Sequence, residues 1–180
     1  MMKIVIRNYL AGSFLLEQQP NSWDAIVILD SGLTHTNFVA DHPRKHIYLQ
    51  FDDIGAENRG KRAPTSNDVR TAIEFASDSV NLMVCCRAGQ SRSAAIAFVI
   101  GCQRLGTEPA CGLLDPKRHT PNSLIINLGA NLIDSPQMLQ AFAKWQTANK
   151  DVKLLNCLDD IEREFDELER QGARNRIVTP

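Results

Sequence analysis

With 180 residues, 43% of them hydrophobic, the chain can bury one substantial core and is short for two. A net charge of −1 and a pI near 6.4 supply no basic field for nucleic acid, and no apolar run reaches the length of a membrane span. Five cysteines without regular spacing point to a reducing, cytoplasmic setting, and the four histidines form no metal-ligand pairing with them.

The elements alternate along the chain. Residues 3–7 read as a first strand, because the apolar run Ile4-Val5-Ile6 is too short for a secretion signal. Apolar residues over 25–29 and alternation over 46–51 predict two more strands, the second ending in the paired carboxylates Asp52 and Asp53. Over 65–80 a helix is expected, with Val69, Ala72, Ile73, Ala76 and Val80 on one face and a capping box from Thr65 to Asp68. Residues 82–85 are wholly apolar and predict a central strand; 91–105 predict a helix buried on most sides.

Farther on, Thr120-Pro121 reads as a helix start, followed by Leu124, Ile125, Leu128 and Leu132 at helical spacing. A helix over 136–149 uses Trp145 as a packing anchor. The last, over 158–170, sets Leu158, Ile161, Phe165 and Leu168 in a stripe docked on the domain, with ion pairs of Asp159 to Arg163 and Asp166 to Arg170. Residues 170–180 read as a frayed tail. The expected architecture is α/β: a single domain over 1–180, its central, mostly parallel sheet of four to five strands flanked by helices.

One stretch carries chemistry. The apolar run Leu82-Met83-Val84-Cys85 stops at Cys86, a loop with one glycine follows, and Arg92-Ser93 opens the buried helix. Such a loop can aim successive backbone N–H groups of Arg87, Ala88, Gly89, Gln90, Ser91 and Arg92 at a tetrahedral dianion, an amide nest continuous with a helix N-terminus. Gly89 supplies freedom where the loop turns, and the planar fork of Arg92 can clamp two anion oxygens. The same positive surroundings favour a thiolate at Cys86, to whose sulfur the Ser93 hydroxyl could hydrogen-bond.

Read as Cys86-x5-Arg92-Ser93, the loop resembles the signature loop of the cysteine-dependent protein tyrosine and dual-specificity phosphatases. That resemblance implies a phosphomonoester hydrolase working through a phosphocysteine at Cys86, without a metal or other cofactor. It also implies a general acid upstream, on a loop often reading aromatic-x-Asp-x-Gly. Phe51-Asp52-Asp53-Ile54-Gly55 fits with Asp53 in the acid's place and Asp52 as the alternative. The family usually has histidine directly before the nucleophile; Cys85 stands there instead, a departure expected to shift the pH optimum. The order of parts argues against an arsenate reductase or sulfurtransferase, since the low-molecular-weight group puts its cysteine loop near the N-terminus and its acid downstream.

The resemblance implies phosphorylated protein or small phosphorylated molecules as partners, most simply through a dual-specificity-type protein phosphatase. Phosphoinositide or nucleotide substrates are the alternative, as is a non-catalytic phosphate-binding module. Arg44, Lys45, Arg59, Lys61 and Arg62 flank the acid-bearing strand and loop. If they line the mouth of the pocket, they favour a substrate with additional negative charge. The sequence does not fix the oligomeric state.

Overall fold

Short strands separated by helices close into one sheet in the computed structural model, which describes residues 2–33, 42–56, 58–150 and 154–173, with 154–159 as backbone only. In chain order the elements are β1 (Lys3–Asn8), α1 (Tyr9–Gln18), β2 (Asp24–Leu29), β3 (Lys45–Gln50), α2 (Ser66–Phe75), β4 (Asn81–Cys86), α3 (Arg92–Leu105), α4 (Thr107–Cys111), α5 (Ser123–Leu132), α6 (Pro136–Ala148) and α7 (Leu154–Arg170). The four strands lie in the order β1-β4-β2-β3, and every pairing is parallel. β4 is therefore inserted between two strands that precede it in the chain. All four strands end at the same edge of the sheet, where the loops after β2, β3 and β4 meet.

Alternation divides the core between the two faces. Ala25, Val27, Leu29, Met83 and Cys85 pack with Tyr9, Leu16 and Trp23 on one face. Ile26, Ile28, Leu82, Val84 and Cys86 pack with the apolar side of α3 on the other. Burial on both faces explains why β2 and β4 are continuously apolar, as parallel central strands are. β3, at the sheet edge, buries only Leu49 fully and half-buries Ile47 and Tyr48.

Several boundaries differ from expectation for local reasons. α1 was not anticipated: its apolar residues lie all round, with Gly12 and Ser13 mid-helix, so no stripe of period 3.6 marks it. Asn8 starts it by accepting from Ala11 N–H at 2.7 Å. α2 has the expected capping box, Asp68 Oδ2 accepting from Thr65 N–H at 2.8 Å. It stops at Phe75 because Ser77 and Ser79 turn the chain back onto Glu74 and Ala76. Val80, expected on the buried face, is therefore exposed. The five residues of α4 are too few for a periodic signal.

α5 begins after Asn122, which caps it, so Pro121 precedes the helix and does not open it. Trp145 packs as expected, stacked on Phe142, which in turn lies 5.8 Å from Phe98. α7 starts earlier than expected, at Leu154, and packs against α1 with Ile161 buried and Phe165 and Leu168 half-buried. Arg170 pairs with Glu167 at 2.6 Å and Arg163 with Asp160, at i,i+3 spacing. The side chains of Leu158 and Asp159, and residues 174–180 of the expected tail, lie outside the described residues.

Candidate active site

The C-terminal ends of three strands frame a cavity of about 520 Å³. Asp30 follows β2, Asp52 and Asp53 follow β3, and Cys86 with the loop to Arg92 follows β4; all of these line it. Its size suits a small ligand or the end of a larger one.

Three of the loop's carbonyls are held by donors from outside it, and four of its amides are left open. Gly89 has φ +68°, and a Cβ there would lie 2.6 Å from Asn8 N and 2.7 Å from Arg7 C, so only glycine lets the loop press on the end of β1. Thr120 N–H donates to Gln90 O at 3.1 Å, Ala95 and Asn122 N–H to Ser91 O at 2.9 and 3.4 Å, and Arg118 Nη2 to Ala88 O at 3.5 Å. None of the backbone N–H groups of Ala88, Gly89, Gln90 and Ser91 has an acceptor among the described residues. They run into the N-terminus of the fourteen-residue α3, whose dipole adds to their positive field.

Cys86 lies beside this cradle with its Sγ 3.1 Å from Ser93 Oγ, the serine being fully buried. Arg92 is also buried. Its Nη1 donates to Phe51 O at 2.7 Å, its Nη2 pairs with Asp30 Oδ1 at 2.6 Å, and its Nε has no partner among the described residues. Burial works against the guanidinium charge, but the field of Cys86 and Asp30 outweighs it and holds Arg92 above its ordinary value. Asp30 was missed in the sequence; its signal was a lone carboxylate directly after the apolar run Ile26-Val27-Ile28-Leu29.

The two candidate acids have different surroundings. Asp52 is spent on structure: it accepts from Ser31 Oγ at 2.6 Å, Ser31 N–H at 3.3 Å and Arg62 N–H at 2.8 Å. Burial opposes its charge, yet these donors prevail and hold its carboxyl below the usual range. Asp53 accepts from Ser91 Oγ at 2.8 Å and Asn122 Nδ2 at 2.9 Å, so its carboxylate is anchored to the cysteine loop and to the α5 cap. Asn122 is a residue that the sequence does not single out, because the helix start reads there as Thr120-Pro121.

Cys85 sits on the other face of β4, against Gly12, where burial pushes its thiol far up. Cys102 lies roughly 15 Å along α3 from its start at the loop. Burial raises the Cys102 thiol to about 12. The basic mouth expected from the sequence does not form. Arg44 and Lys45 pair with Asp24 and Asp78 at the opposite end of the sheet, and Arg62 forks onto Asp68 at 2.8 and 2.9 Å. Arg59 is outside the cavity lining; only Lys61 of the five lines it. Among the described residues no cluster of three His, Cys, Asp or Glu could hold a metal ion, and no helix is long and apolar enough to cross a membrane.

No protein-family model matches the chain, and no curated protein sequence matches it significantly. Solved structures do. The human tyrosine phosphatase-like serine/threonine/tyrosine-interacting protein superposes with a TM-score of 0.53 at 17% identity, over 73% of this chain and 91% of that one. The Yvh1 phosphatase domain from Chaetomium thermophilum gives 0.51 at 13% identity, over 74% and 92%. The chain shares the fold of these two proteins, an α/β domain with a parallel central sheet flanked by helices.

Proposed function

We propose that the chain is a phosphomonoester hydrolase working through a phosphocysteine at Cys86, and that it is a protein phosphatase of the dual-specificity type. The observation that carries this is the buried Arg92 Nε, which has no partner among the described residues, beside four loop amides equally uncommitted among them and a thiol. A buried donor is costly to leave unmatched, and a phosphoryl oxygen is its natural acceptor.

The steps follow from the arrangement. The Cys86 thiolate attacks phosphorus, forming the S–P bond as the P–O ester bond breaks. Asp53, protonated, gives its proton to the departing oxygen, a contribution typically worth about 10²–10⁴-fold. Arg92 and the loop amides hold the three non-bridging oxygens, where charge stabilisation is most of the catalysis. Water then attacks phosphorus while Asp53 takes its proton. Phosphate leaves, the electron pair returns to sulfur, and the Ser93 hydroxyl, 3.1 Å away, stabilises the thiolate.

The test is Cys86→Ser. The unaltered chain should hydrolyse 4-nitrophenyl phosphate, and the variant should lose turnover by at least about 10³-fold while binding inorganic phosphate within a fewfold of the original. Turnover surviving in the variant would overturn the phosphocysteine. Phosphate binding without turnover in the unaltered chain would favour a phosphate-binding module.

A further inference from the structure

We infer that α7 is the substrate-selecting wall of this site: Ile161 and Phe165 bear the organic part of a bound phosphate ester, and Glu162 disfavours a second anionic group. The inference rests on the phosphate-site reading above and adds what lies beside the phosphate.

Ile161, Glu162 and Phe165 line the same cavity as Cys86 and Arg92, although they come from the last helix of the chain. The helix is fastened there. Ile161 is 6% exposed, and Arg118 Nη2 pairs with Glu164 at 2.6 Å while also reaching Ala88 O in the cysteine loop. One guanidinium thus joins the α7 backbone position to the anion cradle. The apolar pair therefore stands at a fixed place beside the phosphate position, where burial of an ester's hydrocarbon would stabilise the complex.

The charges around the cavity point the same way. Asp30 is held by Arg92, Asp52 by Ser31 and Arg62, and Asp53 by Ser91 and Asn122. Glu162 is exposed and makes no hydrogen bond or ion pair among the described residues, so its charge acts on whatever enters. Lys61 and Arg87, the latter 63% exposed and 4.0 Å from Asp30, are the two cations at the rim. With Arg92 and the loop amides given to the phosphoryl dianion, these two still face four carboxylates, so the lining holds no surplus of positive charge for a further anion.

The test needs binding alone. Calorimetry compares inorganic phosphate, phenylphosphonate and 4-carboxyphenylphosphonate on the full chain. Phenylphosphonate should bind about tenfold tighter than phosphate, and the carboxylated compound several-fold more weakly than phenylphosphonate. Phe165→Ala should erase the first ratio; Glu162→Lys, on an exposed side chain that folding does not need, should reverse the second. Either ratio unchanged in its variant overturns the inference, as does tighter binding of all three compounds to Phe165→Ala, which would make α7 an obstruction. The variants' effects on binding are read whether or not the chain turns substrate over, so loss of the hydrolase reading and loss of this one are separable.

Discussion

Asn122 donates Nδ2–H to Asp53 Oδ1 at 2.9 Å while its own Oδ1 accepts from Leu124 and Ile125 N–H at 3.0 and 3.2 Å. One side chain therefore both starts α5 and holds the proposed acid. Asn122→Ala should cost about 1 kcal/mol of stability from the lost cap and lower kcat by tenfold or more on an unactivated ester. Asn122→Ser, which can cap but is shorter, should recover the stability and leave kcat low. Urea unfolding and steady-state rates measure the two effects separately.

Asp53 and Asp52 should separate by leaving group. Asp53→Ala should slow phenyl phosphate by about 10²-fold or more and an activated aryl ester much less. Asp52→Ala strands the hydrogens of Ser31 and Arg62 and should destabilise the chain by about 1–3 kcal/mol, with similar losses on both esters. A plot of rate against leaving-group pKa distinguishes them; a steeper slope in Asp52→Ala would exchange the two roles.

Gly89→Ala forces a methyl group to within 2.6 Å of the β1 backbone at a φ of +68°. The left-handed conformation alone costs about 1–2 kcal/mol, and backbone atoms cannot swing aside as a side chain would. The loop should shift and inorganic phosphate affinity should fall by about tenfold or more, readable by calorimetry. Retained affinity would mean that the amides do not hold the anion.

His119 is buried beside the segment that braces the loop, its Nδ1 accepting from Asp115 N–H at 2.8 Å. Burial, with help from Arg118 and Arg7 and against Asp115, pushes it down to about 4. The unfolded chain takes up this proton near pH 6.5, before the folded one does, so stability rises with pH between about 4 and 6.5. Acidification through that window should remove up to roughly 3 kcal/mol, and His119→Asn, which keeps an acceptor, should flatten the dependence. Guanidinium melts at a series of pH values would show it; an unchanged slope in the variant would assign the effect elsewhere.

The sequence made the sheet legible because β2 and β4 are buried on both faces and read as plain apolar runs, and it made the cysteine loop legible because its parts are contiguous. What it hid was assembled across distance. Asp30, Asn122 and Arg118 each stand in ordinary local company; the convergence of strand ends brings Asp30 to the site, and the docking of the segment before α5 on the cysteine loop brings Asn122 and Arg118. The basic residues misled for the converse reason. Arg44 and Lys45 are close to the acid strand in the chain, but a strand has two ends, and these side chains serve the other one. α1 was missed because it is apolar on all sides and carries no period.

The pleat of β4 also bears on oxidation. Neighbours in sequence, Cys85 and Cys86 are set on opposite sides of a hydrogen-bonded layer, one facing α1 and the other the cavity. A peroxide-derived sulfenic acid on the cavity side would have no route to Cys85 short of tearing that layer, so adjacency in the chain does not make the two a redox pair.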